Sequence, residues 1–234
     1  MMPLPISPAI VEIGGTYVSR KPVFPSIVKK SVMSVSGILM LLFLAAHMIG
    51  NTTIFAGGRY LAAYAEHLHA LGFFVYIFEV GLIVLFGVHI VFALWVTWEN
   101  WRARPVRYIV SRSSNERSLS SKLVFYTGVY TLIFLVIHLL NFRLATGGDL
   151  GKLVPIVDRV LSNPGWAVFY FVSMVIVALH VAHGAWSAFQ TLGFGMSNTR
   201  FVRLSRGAGL LFSLAVGVVF GLMPFAVWFL GRLR

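Results

Sequence analysis

Five long, nearly uncharged apolar runs dominate the chain, at about 31–55, 71–97, 123–144, 166–192 and 207–230. Each reaches the roughly 20 residues that a helix needs to cross a bilayer. The pattern predicts an all-α membrane protein with five transmembrane helices, a single membrane domain over 31–230 and a segment outside the bilayer over 1–30. That first segment carries Pro3, Pro5, Pro8, Pro22 and Pro25 and lacks the basic start and short apolar core of a signal peptide, so it is expected to remain uncleaved. No internal repeat and no low-complexity tract is evident along the chain.

Composition strengthens this picture. Hydrophobic residues make up 58% and charged residues 11% of the 234 positions, and the mean hydropathy is +0.85, far from a soluble globular domain. No phosphate-binding loop or soluble catalytic constellation is present. The absence of cysteine excludes disulfides, thiolate zinc sites, iron–sulfur ligation and covalent c-type haem attachment. The formal charge of +12 would suggest nucleic acid in a soluble protein, but its distribution is topogenic. Thirteen of the 19 Lys and Arg lie on the N-terminal side of the bilayer: four before the first run, six within 102–122 and three within 200–206. The positive-inside rule gives an N-in, C-out topology. Trp98, Trp101 and Trp166 fall where an aromatic belt is expected. The connection from Trp98 to Lys122 is longer than topology requires and offers a docking surface to a cytoplasmic partner.

Candidate chemistry rests on histidine. Ionisable residues inside a bilayer are costly and mark function by default. Of seven histidines, His67 and His69 fall in the outer connection, whereas His47, His89, His138, His180 and His183 fall within the first four runs. At 1.5 Å per residue, His47 and His138 lie roughly 10 Å from the outer ends of their helices, and His89 and His180 roughly 20–27 Å down theirs. Two facing imidazoles at one level are what a bis-histidine haem requires. The spacing therefore predicts two non-covalent b-type haems: His47 with His138 at the outer level, and His89 with His180 at the inner one. Gly37 and Gly128 each precede an outer histidine by ten residues, which places them about 15 Å further in, at the inner level. There they would admit a porphyrin edge or simply let helices pack closely. His180 and His183 share a helix face. One would ligate iron, and the other would bond a propionate, a neighbouring helix or a quinone.

The stretch Thr127-Gly128-Val129-Tyr130-Thr131-Leu132-Ile133-Phe134 before His138, together with His180-Val181-Ala182-His183-Gly184-Ala185-Trp186-Ser187 and Ser34, Gly37, His47 and Asn51, resembles the di-haem cytochrome b anchor of succinate:quinone oxidoreductases, the succinate dehydrogenase and quinol:fumarate reductase family. The likeness covers residues 30–230 and lies in the shared order of short motifs. It implies a four-helix haem-binding bundle with a fifth, peripheral helix. It also implies His180 rather than His183 as ligand, and the same two histidine pairs. Further, it implies a complex II subunit in a prokaryotic cell membrane. Such a subunit anchors an FAD-containing flavoprotein and an iron–sulfur protein on the cytoplasmic face and passes electrons between succinate or fumarate and quinone, menaquinone being expected. The dicarboxylate site would belong to those partners, and neither nucleic acid nor a further soluble domain is implied. His183 and the proline-containing N-terminal segment depart from the family pattern, and the segment reads as a strap onto the soluble subunits. A higher oligomer of the complex is compatible with all of this.

Quinone chemistry also needs proton exchange. Glu79 precedes His89 by ten residues and so lies near the outer level, where a buried carboxylate would suit that role; the alternative is that it pairs with an outer-loop histidine or snorkels towards the outer interface. Glu66 with His67 and His69 forms an outer-edge cluster that reads equally as solvated loop. At the inner edge, Lys30, Ser31 and Ser34 are candidates for a propionate or a quinone carbonyl, although membrane serines commonly return a bond to their own helix. Competing readings are the cytochrome b of another respiratory dehydrogenase, a proton-relaying transporter and a haem-free anchor.

Overall fold

The computed structural model describes residues 10–13, 16–19, 25–102, 119–194, 198–231 and 233. Most of the basic 98–122 connection and most of the first 24 residues fall outside this set, so the docking surface and strap expected there do too. Among the described residues, Ile10–Ile13 (β1) and Thr16–Ser19 (β2) pair antiparallel with Ile10 opposite Ser19. Seven α-helices follow: α1 (Ser26–Asn51), α2 (Gly58–His69), α3 (Phe73–Arg102), α4 (Leu119–His138), α5 (Leu153–Leu161), α6 (Pro164–Leu192) and α7 (Thr199–Leu230). Five spans, Ser26–Ala56, Phe73–Arg102, Leu123–Leu144, Pro164–Leu192 and Thr199–Phe229, are long and apolar enough to cross a membrane. This is the architecture of a multi-pass membrane protein.

The helix ends follow local chemistry. Asn163 caps α6 by accepting from the Gly165 and Trp166 amides, with Pro164 in the first turn. Asn198 caps α7 through the Arg200 and Phe201 amides. This cap starts α7 eight residues before the apolar run, and Arg200, Arg203 and Arg206 extend the helix beyond it. After His138 the backbone of α4 widens into a π-turn over Leu139–Leu144. Such turns rotate the following side chains out of α-helical register and often mark functional sites.

Two short helices lie over one end of the bundle, called here the upper end. Hydrophobicity predicted only connections there, but α2 and α5 are amphipathic. Leu61 of α2 and Ile156, Val157, Val160 and Leu161 of α5 are buried against Ile54, Tyr170, Met223 and Val227. The largest apolar core therefore sits at the upper end. A second cluster of Met174, Val177, Val181 and Val216 runs down between α6 and α7.

Helix α6 is the centre of the bundle and packs against α1, α4 and α7, while α3 packs chiefly on α1. This differs from the expected peripheral fifth helix. Glycines bring α7 onto α6: a Cβ added at Gly217 would stand 3.1 Å from the Ala178 Cβ, and one at Gly209 would stand 3.2 Å from the Ala185 Cβ. Small residues at such seams let membrane helices approach closely. Val216 and Val227 of α7 are almost fully enclosed. The outlying span is instead α3, which has no buried residue and exposes Phe74, Phe78, Ile83 and Val84, as a lipid-facing helix would.

Candidate functional site

Four histidines on four helices stand at two levels, and the upper two meet. In the upper pair, His47 of α1 and His138 of α4 have ring centroids 5.9 Å apart with planes at 89°. Aromatic rings enclose them. Phe43 stacks on His47 at 5.5 Å, Phe220 of α7 approaches it at 5.5 Å, and Phe134, Phe142 and Tyr170 lie 5.2–6.3 Å from His138. The supposedly peripheral helix thus contributes a wall of this site.

The lower pair is set into two glycine notches. A Cβ at Gly37 of α1 would meet the His89 ring at 3.3 Å, and one at Gly128 of α4 would meet the His180 ring at 3.1 Å. Both glycines stand at the depth that their ten-residue spacing implied. What lies against each notch is an imidazole from the neighbouring helix.

Each imidazole but one is oriented through Nδ1. His89 Nδ1 lies 3.1 Å from the Met33 carbonyl and 3.2 Å from the Ser36 hydroxyl. His180 Nδ1 lies 3.5 Å from the Thr127 hydroxyl, with the Val124 carbonyl beside it. Asn51 sits 3.3 Å from His47 Nδ1 and donates to the His47 carbonyl at 2.8 Å. The exception is His138, whose buried Nδ1 has no hydrogen-bond partner among the described residues.

These contacts expose a repeat that the apolar pattern of the sequence conceals. Ser36 precedes His89, and Thr127 precedes His180, by the same 53 residues. One constant shift along the chain carries Ser36, Gly37, Phe43, His47, His89 and Trp95 onto Thr127, Gly128, Phe134, His138, His180 and Trp186. The unit α1–α3 thus recurs as α4–α6. The repeat breaks at the upper pair, where Phe142 occupies the place of Asn51 and leaves His138 Nδ1 without a partner.

The other candidate residues separate. Glu79 is not an unpaired buried carboxylate: it is half-exposed and takes a two-pronged ion pair from Arg143, at 2.6 and 2.9 Å. The burial on which its proton role was argued is therefore absent, and the pair ties α3 to α4 at their upper ends. Glu66, His67 and His69 lie exposed along α2 without converging. Ser34 is buried, but Lys30 is exposed. The buried lysine is its neighbour Lys29, which is 2% exposed and forms an ion pair with Glu99 of α3. Trp95 donates to the same carboxylate at 2.9 Å and presents its face to Lys29 at 4.9 Å. His183 is half-buried, one helical turn from His180.

A cavity of about 330 Å³ opens between the π-turn, α5 and the start of α6, lined by Asn141, Arg159, Asn163 and Trp166 with Leu140 and Val160. The π-turn places Asn141 there, donating to the Tyr170 hydroxyl at 3.1 Å.

The donor set fits haem. No three His, Asp or Glu side chains converge on a metal position among the described residues; the protein offers two donors per level. A haem would bring its own porphyrin nitrogens, and the two imidazoles at each level are the donors this chain would add to its iron. With metal–imidazole bonds of about 2 Å, two such rings have centroids roughly 6 Å apart, close to the 5.9 Å of the upper pair. No family model, no curated protein and no solved structure matches the chain.

Proposed function

We propose that the chain is a di-haem b-type membrane subunit that relays electrons across the bilayer between a cytoplasmic redox partner and membrane quinone. The observation that carries this reading is the meeting of His47 and His138 inside an aromatic enclosure, with His89 and His180 seated in matched glycine notches on the neighbouring helices. His47 and His138 would hold the upper haem and His89 and His180 the lower one, with His183 outside the ligand set. Bound there, each haem supplies reversible one-electron exchange at iron.

The chain's own residues define the rest of the work. Ser36, Met33 and Thr127 keep the lower imidazoles oriented, and second-shell bonds of this kind raise ligand basicity and tune the metal. Phe43, Phe134, Phe142, Tyr170 and Phe220 exclude water from the upper level, and a dry environment is a main determinant of haem potential. We assign the cavity at Asn141 and Trp166 to the quinone ring. Its size suits a small-molecule site, the Asn163 amide N–H groups and the second N–H of Asn141 are left to donate to quinone oxygens, and Arg159 would favour a reduced, anionic form. Lys29 and Glu99, at the opposite end, join α1 to α3 near the face where the partner would dock.

The partner assignment extends the resemblance described above: a flavoprotein and an iron–sulfur protein of the succinate:quinone oxidoreductase type, with succinate or fumarate handled there, the N-terminus cytoplasmic and menaquinone as the membrane substrate. A chain without cysteine cannot supply the iron–sulfur relay itself.

The test is to purify the chain with its native partners and record a dithionite-reduced minus oxidised spectrum with pyridine haemochrome quantitation. Two b haems per chain and co-purifying flavin support the proposal. No haem overturns it, and two haems with a partner lacking flavin would reassign the dehydrogenase.

A further inference from the structure

The repeat of helix pairs carries an inference about the tautomer of the lower imidazoles. A hydroxyl has one proton to donate. Ser36 spends it within α1, on the Val32 and Met33 carbonyls at 2.8 and 3.0 Å. Thr127 does the same within α4, towards the Leu123 and Val124 carbonyls at 3.2 and 3.1 Å. Serine and threonine in membrane helices commonly return this bond. Each oxygen therefore faces its histidine only as an acceptor, and the Met33 carbonyl beside His89 can act in no other way. The group that satisfies them is Nδ1–H. Both rings are thereby fixed with the proton on Nδ1 and the lone pair on Nε2.

The glycine that follows each hydroxyl completes the device. Gly37 and Gly128 hold the rings by close contact on the face where a side chain would displace them. The upper pair lacks it. The Asn51 amide nitrogen donates to the His47 carbonyl at 2.8 Å and faces His47 Nδ1 at 3.3 Å, which leaves that nitrogen in the acceptor role. His138 Nδ1 has no partner among the described residues.

We propose that Ser36 and Thr127 are matched positioning residues that preset His89 and His180 in the Nδ1–H tautomer, with Nε2 bare for a metal, and that the upper pair is not preset in this way. The assignment deepens the haem reading, which rests on the four histidines, but the tautomer itself is a property of the polypeptide before any cofactor enters.

Two measurements separate the proposal from the haem reading. The first is solid-state 15N NMR of the full-length, haem-free chain in liposomes, labelled at histidine. His89 and His180, assigned by single His→Gln substitutions, are expected as Nδ1–H imidazoles with unprotonated Nε2, while His47 shows the other tautomer. Thr127→Val is expected to turn the His180 signal towards a tautomer mixture and Thr127→Ser to restore it, whereas Ser36→Ala is expected to shift the His89 signal less, because the Met33 carbonyl still accepts from its Nδ1–H. If the lower signals are unchanged by removing both hydroxyls, or already mixed in the wild type, the proposal is overturned whatever the haem content.

The second is a potentiometric titration of the haem-loaded complex. Loss of one second-shell partner typically costs 10–100-fold in metal affinity. A tenfold difference between oxidation states corresponds to about 59 mV for one electron. Ser36→Ala and Thr127→Val are expected to move the potential and electron-paramagnetic signature of the lower haem alone. A shift confined to the upper haem, or no shift in either, refutes the positioning role while leaving the di-haem reading intact. A wild-type complex without haem refutes that reading and leaves the tautomer result to stand by itself.

Discussion

Replacing Gly128 by alanine tests the lower pair most directly. The new Cβ would stand 3.1 Å from His180 Cε1, whereas carbon contacts are at ease near 3.5–4.0 Å, so the ring must retreat by about 0.4–0.9 Å. Its Nδ1 already lies 3.5 Å from the Thr127 hydroxyl, the edge of hydrogen-bond range, and such a movement breaks that contact. One hydrogen bond contributes about 0.5–1.5 kcal/mol net, which corresponds to roughly a two- to tenfold weaker hold on a ligand there. At Gly37 the Cβ would meet His89 at 3.3 Å, and His89 keeps the Met33 carbonyl as a second anchor, so the loss is smaller. Gly184 has nothing within 4 Å of its Cβ position and serves as the control. Haem per chain, measured by pyridine haemochrome after detergent washing, should fall in the order Gly128→Ala, Gly37→Ala, Gly184→Ala, with the third at the wild-type value. Equal retention in all three would refute the notch geometry.

Other expectations follow from the same contacts. His180→Ala should halve the haem content, whereas His183→Ala should keep both haems, as read by the same quantitation. Lys29→Met strips Glu99 of its charge-assisted partner, and a hydrogen bond to a charged group is worth about 1.5–3 kcal/mol; the thermal midpoint in detergent should fall clearly more than for the exposed Lys30→Met. Glu79→Gln removes one prong of a half-exposed pair of the kind worth about 0.2–1 kcal/mol. Its stability loss should be small, largely recovered in the Glu79→Gln, Arg143→Gln double variant, and weaker at high salt. A large loss of quinone reduction with unchanged stability would return Glu79 to the chemistry.

Span positions were legible because twenty apolar residues leave little choice of structure, and the observed spans depart from the expected ones chiefly where capping residues such as Asn198 or polar first turns extend a helix. Pairing was legible because depth along a helix is linear in residue number, so His47 with His138 could be read by counting. Rotation about the helix axis was harder to read. Lys29 and Lys30 are adjacent in sequence, but a step of about 100° sends one into the bundle and the other outward. Glu79 was assigned by depth alone, and its partner Arg143 reaches it across the π-turn, a local widening that apolar periodicity does not announce. The position of α7 had a signal in Gly217 and Gly221, four residues apart on one face, which outweighs its lack of histidine in deciding where it packs. The repeat was hidden because few identities survive between its halves; only their hydrogen bonds, Ser36 to His89 and Thr127 to His180, make the correspondence plain.

Splitting every imidazole pair between the two repeat units also orders events during synthesis. When α1 and α3 have entered the membrane, His47 and His89 are both present, yet neither has the ring it faces in the finished protein. His47 waits for α4 and His89 for α6, so the upper pair is completed first and the lower pair about forty residues later. Helix α7 arrives last, and its small-residue face closes over α6 only after all four imidazoles are in place. A nascent chain halted before residue 180 would therefore carry one complete pair, and one halted in the 103–118 connection would carry none.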